Sequence, residues 1–158
     1  MSPFVSVPPN PVSPTGSVMP GDGWWPDVDC NAMRDALRLG EVVTHARLLG
    51  ALEGGLLTAE SELATWRAAR EAEGCTSLAE VEPLRKIGGK VRAVVLYTRA
   101  VRCAAAAELA EMHRDVTATT HGQARADDEK LTAADYRRMC TEAIRDLLGT
   151  TRVAIELI

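Results

Sequence analysis

The chain has 158 residues, 46% hydrophobic and 25% charged, and its 18 basic against 22 acidic side chains give a formal net charge of -4 at pH 7. That length suits one globular domain burying roughly two thirds of its unfolded surface, and the acidic balance argues against a protein whose main task is to coat nucleic-acid phosphates. Aromatic residues are only 4%, so the core must be built from Ala, Leu and Val, which favours close-packed helices over sheets and predicts an all-α fold.

Residues 1–21 (MSPFVSVPPNPVSPTGSVMPG) contain no charged side chain and have proline at 3, 8, 9, 11, 14 and 20. This spacing forbids helix and predicts an extended, polyproline-like arm. Its apolar residues, among them Phe4, Val5, Val7 and Val12, suit an arm that orders against another surface better than a solvating tail, which is usually charged. The stretch Gly23-Trp24-Trp25-Pro26-Asp27-Val28-Asp29 ends the arm and places a carboxylate at a helix start. A first helix is expected from about Cys30 to Leu39, stopped by Gly40. A second is expected from Glu41 to about Glu53, stopped by Gly54-Gly55.

Thr58-x-x-Ser61 is an imperfect capping box that opens a third helix, with Ala59, Leu63, Trp66 and Arg70 at helical spacing and Gly74 at its end. Residues 75–89 (CTSLAEVEPLRKIGG) read as a loop with one short helical turn, because Pro83 and Gly88-Gly89 break anything longer. A fourth helix, Lys90 to about Asp115, places Val91, Val94, Thr98, Val101, Ala105, Leu109 and Met112 on one stripe. Its Cys103-Ala-Ala-Ala-Ala107 run offers a smooth surface that another backbone can approach. After the polar segment 116–123, a fifth helix starts between Ala124 and Thr132 and runs to Leu148, with Gly149 as its stop and Asp127-Asp128-Glu129 near its beginning. Finally Thr151–Ile158 (TRVAIELI) alternates in hydropathy as a strand does, and a lone strand must pair with something else. The expected organisation is thus an arm over 1–23, a helical body over 24–149 and a terminal strand over 150–158.

Catalytic constellations are missing from this pattern. Cys30, Cys75, Cys103 and Cys140 form no CxxC pair and suit reduced thiols in a cytosol. His45, His113 and His121 belong to no metal-binding spacing. Asp27-x-Asp29 lacks the remaining oxygen ligands of a calcium loop. No glycine-rich phosphate loop or nucleophile elbow appears, so no enzyme activity, metal or cofactor is expected. No basic leader with a hydrophobic run opens the chain, and uncharged stretches such as 93–98 fall far short of the ~20 residues a membrane span needs. An assembly part that grips neighbours through its ends fits better. The alternative is a small helical regulator binding protein or DNA, but its first two helices carry only Arg34, Arg38 and Arg47 against Asp29, Asp35, Glu41 and Glu53.

The collinear run of the aromatic pair with Pro26-Asp27-Val28-Asp29, then RLG, THARLLGALEGG, AESELATWRAAREAEG, TSLAEV and LYTRAVRCAAAAELAEMHRDV resembles the head completion (GPL) family of temperate contractile-tailed phages, from about Trp24 to Ile158. The resemblance implies a virion protein of the head-tail neck, assembled in the host cytoplasm: a helical connector subunit that docks as a ring, commonly of twelve copies, under the portal protein after DNA packaging. It would help retain the genome and present the surface joined by a tail terminator or tail completion protein. Packaged DNA would pass through the lumen without specific binding, and no membrane is involved.

Under that resemblance the residues acquire candidate roles. Val153, Ile155, Leu157 and Ile158 of the terminal strand would insert into the portal or a neighbouring subunit. Trp24 and Trp25 would anchor the arm, one ring covering the first helix and the other available to a neighbour. Arg92 and Arg99, beside the stripe of the fourth helix, would make inter-subunit charge contacts. Asp127, Asp128 and Glu129, or Glu108 and Glu111, would face the DNA channel, where acidic groups keep the lumen from gripping phosphates.

Overall fold

A computed structural model describes residues 13–40, 43–117 and 131–150, with 113–117 by backbone only. The first twelve residues, the Asp127-Asp128-Glu129 patch, the His113 side chain, His121, and the terminal strand with Val153, Ile155, Leu157 and Ile158 lie outside what is described. Among the described residues there are four α-helices: α1 Cys30–Ala36, α2 His45–Ala72, α3 Arg92–Thr117 and α4 Ala133–Leu148. Two short antiparallel pairs accompany them. β1 (Val18–Met19) pairs with β2 (Val28–Asp29) in the register Val18↔Asp29, and β3 (Lys86–Ile87) pairs with β4 (Lys90–Val91) in the register Lys86↔Val91. A 3-10 turn, Leu78–Glu80, follows α2.

The all-α class holds, but the second and third expected helices are one. α2 runs 28 residues through Gly54-Gly55 without a break. Glycine stops a helix only when nothing else holds the chain helical, and here packing does. A Cβ built on Gly55 would lie 2.7 Å from the carbonyl oxygen of Val101 and 3.2 Å from the amide nitrogen of Ala105, so the missing side chain is what lets α2 and α3 approach. The first helix ends earlier than expected, at Ala36, because Arg38 turns to φ +50° and the chain folds over with Leu39 N–H bonded to Arg34 O. Thr44 caps α2 by accepting from Arg47 N–H, and Thr132 with Asp135 forms a full capping box at α4.

α3 is the middle of a three-helix layer. Tyr97 donates to Glu60 of α2 at 3.0 Å, Arg92 donates to the Asp146 carbonyl of α4 at 3.1 Å, and Arg137 of α4 pairs with Glu111. Both neighbours therefore run antiparallel to α3. Covered on two sides, α3 buries a wider band than a single stripe: Ala93, Leu96, Tyr97, Ala100, Val101 and the run Cys103 to Ala107. Met112, placed on the stripe by periodicity, is 43% exposed. α4 matches its expected face, with Cys140, Ala143, Ile144 and Leu147 buried, and Gly149 closes it at φ +69°.

Candidate functional site

The aromatic pair sits where the entering chain meets the helices. Asp22 accepts from Trp24 N–H at 3.0 Å and Trp25 N–H at 2.9 Å, a short turn that points both indoles at α2 and α3. Trp25 stacks on Tyr97 with centroids 4.5 Å apart and planes 8° from parallel, while Trp24 meets Trp25 and Trp66 edge to face. Trp24 is 5% exposed and Trp25 2%, so in this fold both rings belong to the core and offer little surface to a neighbour. Trp24 also fixes the segment after α2, since its Nε1 donates to Cys75 O and its carbonyl accepts from Leu78 N–H.

Arg67 of α2 locks this corner from outside. Its guanidinium lies 5.1 Å from the Trp24 ring and 5.7 Å from the Trp25 ring and pairs with Asp22 at 2.5 Å and Glu71 at 2.8 Å. Loss of water around Asp22 opposes its ionisation, but the Trp25 N–H, the Arg67 guanidinium and the Trp24 N–H outweigh that and hold its carboxyl below the usual range.

Upstream of Asp22, the expected arm is tied down as well. Ser13 is buried, with its hydroxyl contacting Arg34 Nε and His45 Nδ1. Asn31 donates to Pro14 O, and β1 pairs with β2. Residues 13–22 therefore fold back on their own chain, ahead of the expected body boundary at residue 24.

Arg92 and Arg99 are not brought into one cluster. Arg92 is half-buried against the end of α4, where it caps a helical carbonyl, whereas Arg99 is exposed on α3 within reach of the Cys103 thiol. Burial pushes the Cys103 thiol up and the Cys140 thiol to about 11, so both stay protonated near neutrality. Glu108, on the expected channel list, lies against Gly54. Burial first and Glu111 second push its carboxyl above the usual range. Among the described residues no cluster of His, Cys, Asp or Glu can hold a metal ion, and no helix is long and apolar enough to cross a membrane.

Residues 75–89 are expected as a loop with one short helical turn and Lys90 as the start of the fourth helix; the structure shows the 3-10 turn, α3 beginning at Arg92 and a hairpin over 86–91. Gly88 at φ +56° and Gly89 at φ +78° form its two-residue turn, a primed turn that matches strand twist. The signal was present: Lys-Ile-Gly-Gly-Lys-Val is a glycine pair between two short β-compatible runs. Around the turn Leu84 is 94% exposed and Ile87 52% exposed, with Arg85, Lys86 and Lys90 beside them. An open depression of about 450 Å³ is lined by Pro20, Asp22, Glu53, Leu56, Leu57 and Glu60.

The chain has known relatives. The sequence profile described as "Phage head completion protein (GPL)" matches residues 19–158. The chain belongs to the phage head completion protein family. It is also 33% identical over 135 residues to the head completion/stabilization protein of Escherichia phage P2, covering 85% of this chain and 79% of that protein. No solved structure gives a significant match. Membership carries a coarse assignment, a structural part in phage head completion and hence a component of the virion. The match begins at Met19 in β1, so most of the proline-rich segment precedes it.

Proposed function

We propose that the chain is a connector subunit that docks as a ring, of about twelve copies, beneath the portal protein once DNA is packaged, helps retain the genome and offers the surface to which a tail terminator or tail completion protein joins. The observation that carries this reading is the family match over nearly the whole folded body. In this reading Val153, Ile155, Leu157 and Ile158 pair as a strand with the portal or a neighbour, the ladder giving affinity and alternate side chains giving specificity. A contact of a few kcal/mol becomes firm when repeated round a ring.

Trp24 and Trp25 set the direction in which the proline-rich segment leaves. Arg99, with Arg92 at the end of α4, supplies charge contacts to the adjacent subunit. Asp127, Asp128 and Glu129, in the connection between α3 and α4, face the lumen and keep DNA phosphates from being gripped. Removing residues 151–158 tests the docking claim while keeping the Gly149 stop and the Thr150 N–H bond to Arg145 O that finish α4. The truncated chain should keep its helical circular dichroism and lose capture by portal rings in a pull-down; undiminished capture refutes the role of the strand.

A further inference from the structure

The two most exposed large apolar side chains among the described residues are Leu84 at 94% and Leu57 at 73%, and they lie on different parts of the surface. Leu84 stands beside the β3–β4 turn with Ile87, flanked by Lys86 and Lys90 and by Arg85, which pairs with Glu82 at 3.0 Å. Leu57 lies in the depression between α2 and the entering chain, with Leu56 and the exposed Glu53 in its lining, Asp22 paired with Arg67 and Glu60 accepting from Tyr97. One surface carries Lys86 and Lys90 beside an apolar projection, and the other carries Glu53 beside an apolar hollow. Isolated exposed leucines are ordinary, but a projection and a hollow of opposite charge on one chain are complementary.

They do not meet within one molecule, since Leu84 stays 94% exposed and Leu57 73% exposed. The hairpin joins the start of α3 at Arg92. A rigid two-residue turn and the Arg92 N–H bond to Arg85 O hold it there. We infer that the β3–β4 hairpin of one copy seats Leu84 and Ile87 in the Leu56–Leu57 depression of the next, a head-to-tail contact between copies of this chain. Such a contact uses two different patches on each subunit, so it propagates and closes into a ring when the rotation between copies allows. It deepens the connector reading by assigning the subunit–subunit interface, and it rests on that reading only in requiring that copies meet.

The test places a photoreactive benzophenone amino acid at position 84 of the full chain and irradiates it at concentrations up to about 1 mM, the effective concentration typical of tethered assembly. A covalent dimer is expected, with the crosslink mapped by mass spectrometry to residues 53–60 of the other copy. Leu57→Asp, which puts a carboxylate into the apolar seat, should lower the dimer yield at least about tenfold. Glu53→Lys at the exposed rim should lower it about threefold, an independent reading that leaves Leu57 in place. A chain carrying both the photoreactive residue and Leu57→Asp should still label an L84D partner, whose depression is intact, and not itself.

A crosslink that maps elsewhere, or no covalent dimer at the highest concentration, overturns the inference. The two readings fail separately. Loss of portal capture with the crosslink from 84 to 53–60 intact strikes the connector reading alone, and normal capture with the crosslink displaced strikes this one alone.

Discussion

Two glycines in one helix should respond to the same substitution with opposite signs. In an exposed helix interior Gly→Ala stabilises by about 1 kcal/mol through helix propensity and the reduced freedom of the unfolded chain. Gly50 of α2 meets this condition, since a Cβ there has nothing within 4 Å. Gly55, five residues on, does not: its Cβ would sit 2.7 Å from Val101 O, 3.2 Å from Ala105 N and 3.4 Å from Ala105 Cβ. Two of these atoms are backbone of α3 and cannot swing aside as a side chain would. Relief requires α2 and α3 to separate by several tenths of an ångström, which also loosens the Trp25–Tyr97 stack between them. Overpacking of this kind costs about 3 kcal/mol at the upper end of the usual range. Set against the propensity gain of about 1 kcal/mol, Gly55→Ala should destabilise by about 2 kcal/mol and lower Tm by roughly 4–8 °C, while Gly50→Ala should raise Tm by about 2–4 °C. Thermal and urea unfolding followed by helical circular dichroism measure both. If Gly55→Ala melts at or above the parent temperature, the claim that the glycine exists for helix–helix approach is wrong.

Trp25→Ala removes a ring enclosed by Trp24 and Tyr97 and should cost about 3–5 kcal/mol in urea unfolding, with loss of near-ultraviolet dichroism from the aromatic cluster. Asp22 has a folded pKa below its unfolded value near 3.8, so its contribution is present above pH 4 and fades as pH falls through the folded pKa. Asp22→Asn should therefore be less stable than the parent at pH 7, by about 1 kcal/mol after allowing for solvent screening, with the gap narrowing below pH 4. Glu108 carries the opposite sign. Its folded pKa is raised above about 4.5, so the folded state holds the proton more tightly and loses stability as pH rises through that window. Glu108→Gln should accordingly be more stable than the parent at pH 7 and equal to it below pH 4; equal stability throughout the range would show that the carboxylate is not strained against α2.

Much of the helical architecture was legible because periodicity and stop signals are local. The face of α4 through Cys140, Ala143, Ile144 and Leu147, and its end at Gly149, follow from spacing and from glycine at a left-handed position. Gly54-Gly55 misled for the same reason. A glycine pair is a stop signal only in isolation, and a partner helix 46 residues further on, whose Val101 backbone needs the space, overrides it. The hairpin at 86–91 was readable from its glycine pair but was masked by Pro83 and the polar surroundings.

The corner at the tryptophans was partly legible. The aromatic pair following a proline-rich segment is visible in the sequence, but the destination of its rings is not. Asp22 and Arg67 are 45 residues apart and Trp25 and Tyr97 are 72 apart, and no local pattern encodes such contacts. By itself the sequence determined the all-α class, the ends of most helices and the family, since composition, caps and collinear order are properties of the chain read in one dimension. Only the tertiary structure decided that α2 is continuous, that both indoles turn inward, and that Leu57 and Leu84 stay exposed. Those outcomes depend on which distant surfaces meet, and close packing settles that across the whole molecule at once.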